Sequence, residues 1–281
     1  MFKRFLLSCI TVVLLTSTNV MITAEAATTA PSNAAEAACL IDADTGDVLY
    51  TKNPTKWMHP ASTTKIMTTI VALEDGKDKL DRPLLISQEA ADTEESDLGI
   101  SPTDKVTLRE ALTGMMVVSG NDAAVAVAQT VGGSVWRFSR MMTEKAQKIG
   151  AVHTSFKNPN GLTTAKHYTT AVDMAKIAAY GMKIPEFRRI VGLTSYDMKY
   201  IDNRPTKHVV TTNHFLESGY DGANGIKTGY TDAAGCCLIA SATQNGKTLI
   251  VVLFNDDNRW DDAPALLDYG FAKIEQTKKE K

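Results

Sequence analysis

Ser62 and Lys65, in "HPASTTKIMTTI" (residues 59–70), stand three apart at the front of an apolar run that reads as a helix over Thr63 to Glu74. At that spacing two helical side chains share a face, so the amine reaches the hydroxyl oxygen. A serine hydroxyl is a weak nucleophile until a base takes its proton, and lysine is that base only while largely neutral. Lowering its pKa from about 10.4 to about 7–8 costs roughly 1.36 kcal/mol per unit. Burial plus a neighbouring positive charge can supply this. Ile66, Met67 and Ile70 offer the apolar surroundings. A serine in the first helical turn also faces free backbone N–H groups and the positive end of the helix dipole, which suits an attacking alkoxide. Taken alone, S-x-x-K arises often by chance, and a surface helix with a stray lysine explains it.

Two other stretches bear on that choice. "GIKTGYTDAAG" (residues 225–235) places Lys227-Thr228-Gly229 at the start of the strand-rich C-terminal part. On a strand, this triplet gives a charge and a hydroxyl for a carboxylate, and a glycine that lets a substrate backbone lie close. "VVSGNDAA" (residues 117–124) puts Ser119 and Asn121 between a helix ending at Val118 and another starting after Asn121. A plain connector with an N-cap fits that stretch by itself.

Together the three carry more. S-x-x-K, S-D-N and K-T-G, in that order, form the signature set of class A β-lactamases and penicillin-binding proteins; here the middle slot reads S-G-N. Their expected settings also fit: helix start, inter-helix loop, strand. With "SFKNPNGLTTAKHYTTAVDMAKIA" and the closing "LLDYGF", the chain resembles low-molecular-mass penicillin-binding proteins of the serine D-alanyl-D-alanine carboxypeptidase family, peptidase family S11, from about Ala37 to Phe271.

The resemblance implies an α+β, β-lactamase/transpeptidase-like fold: an antiparallel five-stranded sheet built from both termini, with a helical block inserted between. It implies Ser62 as the acylated nucleophile, Lys65 as general base, Ser119 as proton relay and Asn121 as holder of the substrate amide. Lys227 and Thr228 would bind the substrate's terminal carboxylate, and Gly229 would let the peptide approach. The backbone N–H groups of Ser62 and Tyr230 would form an oxyanion hole, worth roughly 3 kcal/mol per donor in other enzymes. Arg259 falls where the family can carry a carboxylate-binding arginine, although a surface arginine among four aspartates is an equal reading. Lys227, held charged by a carboxylate ligand, would help keep Lys65 neutral. The implied reaction removes the terminal D-alanine from peptidoglycan stem peptides ending in D-Ala-D-Ala, with β-lactams as covalent inhibitors. No cofactor or metal is implied.

Departures from the family pattern matter. Larger members continue into a β-rich second domain and an amphipathic membrane anchor. The tail "AKIEQTKKEK" is basic but too short and polar for such an anchor, which leaves membrane attachment open. "VVTTNHF" keeps Asn213 but has Thr212 where some relatives carry an arginine, which shifts carboxylate binding toward Arg259. A β-lactamase shares the acylation machinery, but no E-x-x-L-N run is present for deacylation. A transpeptidase would use the same residues with an amine acceptor. A Ser-His-Asp hydrolase lacks its G-x-S-x-G elbow, and a non-catalytic cell-wall-binding or drug-sensing module would not need both lysines.

The positioning elements follow from periodicity. "ACLIDADTGDVLYTKN" gives two short strands around a turn, and "GCCLIASATQNGKTLIVVLFND" two longer ones joined by Asn245-Gly246, a strong hairpin signal. Between them helical spacing recurs over Leu108–Val118, Ala123–Val131, Val135–Ile149 and Ala171–Gly181, with a last helix at about Ala263–Ile274. Residues 1–26 read as a secretory signal peptide, 27–36 as a flexible mature N-terminus, 37–275 as the peptidase domain and 276–281 as a short basic tail. That signal places the protein outside the cytoplasm, in the cell envelope or secreted. At 281 residues and 44% hydrophobic content the chain can bury a sizeable core. A formal net charge of −2 gives no footing for nucleic acid. Cys39, Cys236 and Cys237 read as small buried apolar residues rather than a disulfide framework, with the adjacent pair facing opposite sides of a strand. Oligomeric state is not legible.

Overall fold

The computed structural model describes residues 29–279, so the expected signal peptide lies outside the described residues. The chain runs β1 (Ala37–Asp42), β2 (Val48–Lys52), α1 (Lys65–Asp75), α2 (Gln88–Ala91), α3 (Leu108–Val118), α4 (Asn121–Gly132), α5 (Val135–Ile149) and α6 (Ala171–Met182). It continues through α7 (Pro185–Val191), β3 (Ser195–Met198), β4 (Lys207–Val210), β5 (Ala223–Thr231), β6 (Gly235–Gln244), β7 (Lys247–Phe254) and α8 (Arg259–Lys279).

The longest strands are apolar at successive positions, the pattern of a sheet covered on both faces. Cys39, Ile41, Cys237, Ile239, Ile250, Val252 and Phe254 join the core shared with the inserted helices. Their neighbours Leu40, Leu238, Ala240, Leu249, Val251 and Leu253 pack instead with Leu266 and Leu267 of α8. The result is three layers: α8, the sheet, and the helical block. The sheet is antiparallel with order β2-β1-β7-β6-β5. Because β1 pairs with β7, strands from the two ends of the chain meet at its centre, as the sequence led us to expect. Asn245 (φ 49°) and Gly246 (φ 73°) make the β6–β7 turn in the left-handed region that a tight hairpin requires.

Several boundaries differ from the expectations above. Ser62 lies in a 3-10 turn, Ala61–Thr64, that leads directly into α1. In such a turn residues i and i+3 eclipse, so Ser62 and Lys65 are aligned more closely than on an α-helix. Asn121 is the first residue of α4 rather than part of the connector, and Ser119 closes α3 in a left-handed conformation, φ 67°. Helices α2 and α7 and the β3–β4 hairpin are additional; each is too short for periodicity to register. Helix α8 begins at Arg259 and runs to Lys279, into the residues expected as a tail. Cys39 and Cys237 are buried, but Cys236 is only half-buried, and all three are free thiols. Among the described residues no helix is long and apolar enough to cross a membrane.

Candidate active site

Thr63 Oγ1 donates to Pro60 O at 2.6 Å, closing the 3-10 turn on itself, and Ser62 sits at its exposed side while Ala61, Thr63 and Thr64 are buried. Lys65 follows one turn later with its whole side chain buried, as are Ile66, Met67 and Ile70 of the same helix, all at 0% exposure. Its Nζ lies 3.0 Å from Ser62 Oγ, 2.7 Å from Asn121 Oδ1 and 2.8 Å from Asn160 O. Asn121 Nδ2 donates to Glu94 O at 3.0 Å, which fixes the amide oxygen toward Lys65.

That coordination decides what the amine can do. The Asn121 amide oxygen and the Asn160 carbonyl only accept hydrogen bonds. A neutral amine has two N–H donors for those two acceptors and one lone pair left for the Ser62 O–H. Burial pushes the Lys65 pKa well below the usual lysine range, the Lys227 charge pushes it further, and Asp122 and Glu95 oppose. A fully buried ammonium without a carboxylate partner would carry a large desolvation cost, so the neutral form is the one the surroundings favour.

Strand β5 brings the second lysine. It is an edge strand, so the backbone groups on its outer side are open to an extended peptide. At Gly229 it passes so close to the 3-10 turn that a Cβ there would lie 3.0 Å from Ser62 N and 3.1 Å from Ala61 Cβ. Opposite, a Cβ at Gly161 would stand 1.9 Å from Ala61 O, and its φ of +97° is itself costly for any side chain. Lys227 is buried, donates to Thr228 O at 3.1 Å, and has its pKa drawn down to about 7 by burial. In the free protein, then, burial works against the charge on Lys227, and the expectation that a carboxylate ligand holds it charged concerns the bound state. Burial is the largest cause of the Lys65 shift, and the Lys227 charge follows it.

A cleft of about 420 Å³ opens over this assembly, lined by Ser62, Glu95, Ser96, Ser119, Thr212, His214, Thr228, Gly229, Tyr230, Arg259 and Trp260. Arg259 belongs to this wall, its guanidinium stacked 4.8 Å from the Trp260 ring centroid. Thr212 bonds to Thr228 at 2.9 Å, hydroxyl to hydroxyl. Ser119 lines the cleft but is not a hydrogen-bond partner of Lys65. The chain thus has a buried amine of lowered pKa on a serine hydroxyl, an edge strand beside it, and the Arg259 guanidinium at one side of a cleft. A profile of the D-alanyl-D-alanine carboxypeptidase family matches residues 24–258.

This chain belongs to the D-alanyl-D-alanine carboxypeptidase family. It is 33% identical to the D-alanyl-D-alanine carboxypeptidase of Streptomyces sp. (strain K15) over 262 residues, which cover 88% of this chain and 90% of that one. It is 38% identical to the carboxypeptidase DacF of Bacillus subtilis (strain 168) over 247 residues, 86% of this chain but 63% of that relative. The crystal structure of the Streptomyces K15 DD-transpeptidase superposes with a TM-score of 0.83 at 34% identity, covering 87% of this chain and 99% of that one. The fold is therefore that of the DD-peptidases.

Within this carboxypeptidase-family site, all nine residues singled out in the sequence gather at the cleft or directly beneath it. Sequence reasoning missed the backbone carbonyl of Asn160, since a carbonyl 95 positions from Lys65 leaves no mark in residue type. It also missed His167. That imidazole accepts from Lys157 N at Nδ1 (3.1 Å), so its Nε2–H is free to donate to Thr64 Oγ1 at 2.9 Å, behind the nucleophile turn. The Asn-Pro-Asn-Gly run at 158–161 was the available signal for the first of these.

Proposed function

We propose that the chain is a serine D-alanyl-D-alanine carboxypeptidase acting through an acyl-enzyme on Ser62. The observation that carries this is the buried Lys65 amine, whose two N–H donors are matched by Asn121 Oδ1 and Asn160 O while its remaining direction meets Ser62 Oγ at 3.0 Å.

A peptide ending in D-Ala-D-Ala lies along β5, its terminal carboxylate near Lys227, Thr228 and Arg259. That carboxylate brings Lys227 back to its charged form, since an opposite charge nearby favours the ammonium. Lys65 takes the Ser62 proton as Oγ attacks the penultimate carbonyl carbon, and the new oxyanion is received by the N–H groups of Ser62 and Tyr230. When the peptide C–N bond breaks, Lys65 returns the proton to the departing D-alanine amine, with Ser119 as the relay. Water then attacks the acyl carbonyl, again losing its proton to Lys65, and the shortened peptide leaves. The closeness of Gly229 to Ser62 N supports the placement of β5 in this scheme. β-Lactams enter as acylating mimics of the D-alanine pair, and the work lies outside the cytoplasm, where the peptidoglycan is.

Transfer to an amine instead of water is a second reading, since relatives of Streptomyces strain K15 are called both carboxypeptidase and DD-transpeptidase. Release of D-alanine from a pentapeptide by the wild type and not by Ser62→Ala tests the proposal. Turnover of penicillin without any release of D-alanine would replace it with a β-lactamase.

A further inference from the structure

Glu95 is the only carboxylate among the residues lining the cleft, and no hydrogen bond or ion pair holds it to another described residue. Its segment is nevertheless tightly fixed. Asn121 donates from Nδ2 to Glu94 O at 3.0 Å and from its backbone N to Ser96 O at 2.7 Å, so one asparagine brackets Glu95 on both sides. The Asp122 carboxylate then accepts from Leu98 N at 2.7 Å and Ile100 N at 3.0 Å, securing the chain just beyond. Under these constraints Glu95 takes a left-handed backbone, φ 73°, where glycine would be less strained. A side chain is therefore held at a strained position over the cleft with no hydrogen bond or ion pair, although its charge reaches Lys65, whose pKa it raises.

The same cleft carries Arg259, and Lys227 is buried on strand β5 next to the lining residue Thr228. It is thus polarised, anionic at Glu95 and cationic at Arg259 of α8, with Lys227 joining the cationic side once a carboxylate ligand favours its ammonium. A zwitterionic chain with a carboxylate at its end and an ammonium some distance before it would match that polarity, whereas a peptide with its amine blocked would match only one half. We propose that Glu95 is a specificity-determining residue that favours peptides bearing a free primary amine on the residue preceding the D-Ala-D-Ala pair, by pairing its carboxylate with that ammonium. The proposal rests on the carboxypeptidase reading and adds the substrate class.

Because Glu95 is exposed, the preference is moderate, about two- to fivefold in kcat/KM, and salt at about 1 M, where the Debye length falls to about 3 Å, removes most of it. The test compares D-alanine release from two tripeptides, Nα-acetyl-Lys-D-Ala-D-Ala with the lysine side-chain amine free, and the same peptide with that amine acetylated. The wild type is expected to favour the free amine, Glu95→Gln to bring the ratio to about one, and Glu95→Lys to reverse it. Equal rates on both peptides with wild type, or a ratio unchanged in Glu95→Gln and Glu95→Lys, would overturn this proposal while leaving the carboxypeptidase reading intact. Release of D-alanine from neither peptide would overturn both.

Discussion

Lys65 Nζ lies 3.0 Å from Ser62 Oγ in a side chain with no exposed surface, and no carboxylate is among its hydrogen-bond partners. Burial first, and then the Lys227 charge, lower the pKa of an amine so placed, which suits it to accept a proton. Ser62 and Lys65 stand three apart in sequence, while the groups that set the amine's orientation come from α4 and the 158–161 turn.

Lys65→Arg tests this relationship. Arginine stays charged and cannot accept the Ser62 proton, so acylation by a fluorescent penicillin should slow by about 10²- to 10⁴-fold, the usual worth of a general base. Stopped-flow labelling measures it, with circular dichroism to verify the fold. A labelling rate within a few-fold of wild type would mean another group takes the proton.

Two glycines should separate fold from chemistry. Gly161→Ala forces a Cβ to 1.9 Å from Ala61 O at φ +97°, and a thermal melt should show loss of at least about 2 kcal/mol of stability. Gly229→Ala meets Ser62 N at 3.0 Å, tight but yielding. Its melting temperature should change little while acylation falls about 10²-fold, because the amide donor beside it is displaced.

The buried lysines make stability depend on pH. Lys227 has a folded pKa of about 7 and an unfolded value near 10.5, so the unfolded chain binds more protons between those limits. Stability therefore rises with pH across that window, by on the order of 1 kcal/mol per pH unit for each such lysine, and Lys65 contributes with the same sign. Above about pH 9 the buried thiols of Cys39 and Cys237, both raised to about 12, pull the other way. Urea unfolding at pH 7 and 8.5 should show the wild type more stable at 8.5 and Lys227→Met with a smaller difference.

At acid pH, His167 gives the opposite end of the curve. Burial, with help from His59 and Lys157, lowers its pKa to about 4, so its contribution is complete above about 6.5 and is lost as pH falls toward 4. Asp256, raised to about 6 first by burial and then by Asp262, gains stability over much the same range. Asp256→Asn should therefore steepen the acid loss, and His167→Gln should flatten it, in urea midpoints measured from pH 7 to 4.

The sheet and the helices packed on it, and the placing of Ser62 beside Lys65, were legible because they rest on local patterns. The apolar runs of β6 and β7, the Asn245-Gly246 turn and the three-residue spacing of Ser62 and Lys65 are each contained in a short window. What escaped was either too short or too distant. The β3–β4 hairpin has four residues per strand, and α7 is a seven-residue helix begun by Pro185. The Asn160 carbonyl and the bracket around Glu95 depend on backbone atoms brought together across the fold. The placement of Asn121 inside α4 was missed because Gly120 occupies the N-cap without a side-chain bond to announce it.

Mass spectrometry of the intact protein mixed with benzylpenicillin, followed by peptide mapping, tests the central claim most directly. The expected result is a single adduct of one penicillin mass on the peptide containing Ser62, absent in Ser62→Ala. No adduct under conditions where the protein is folded, or an adduct on a different residue, would contradict it.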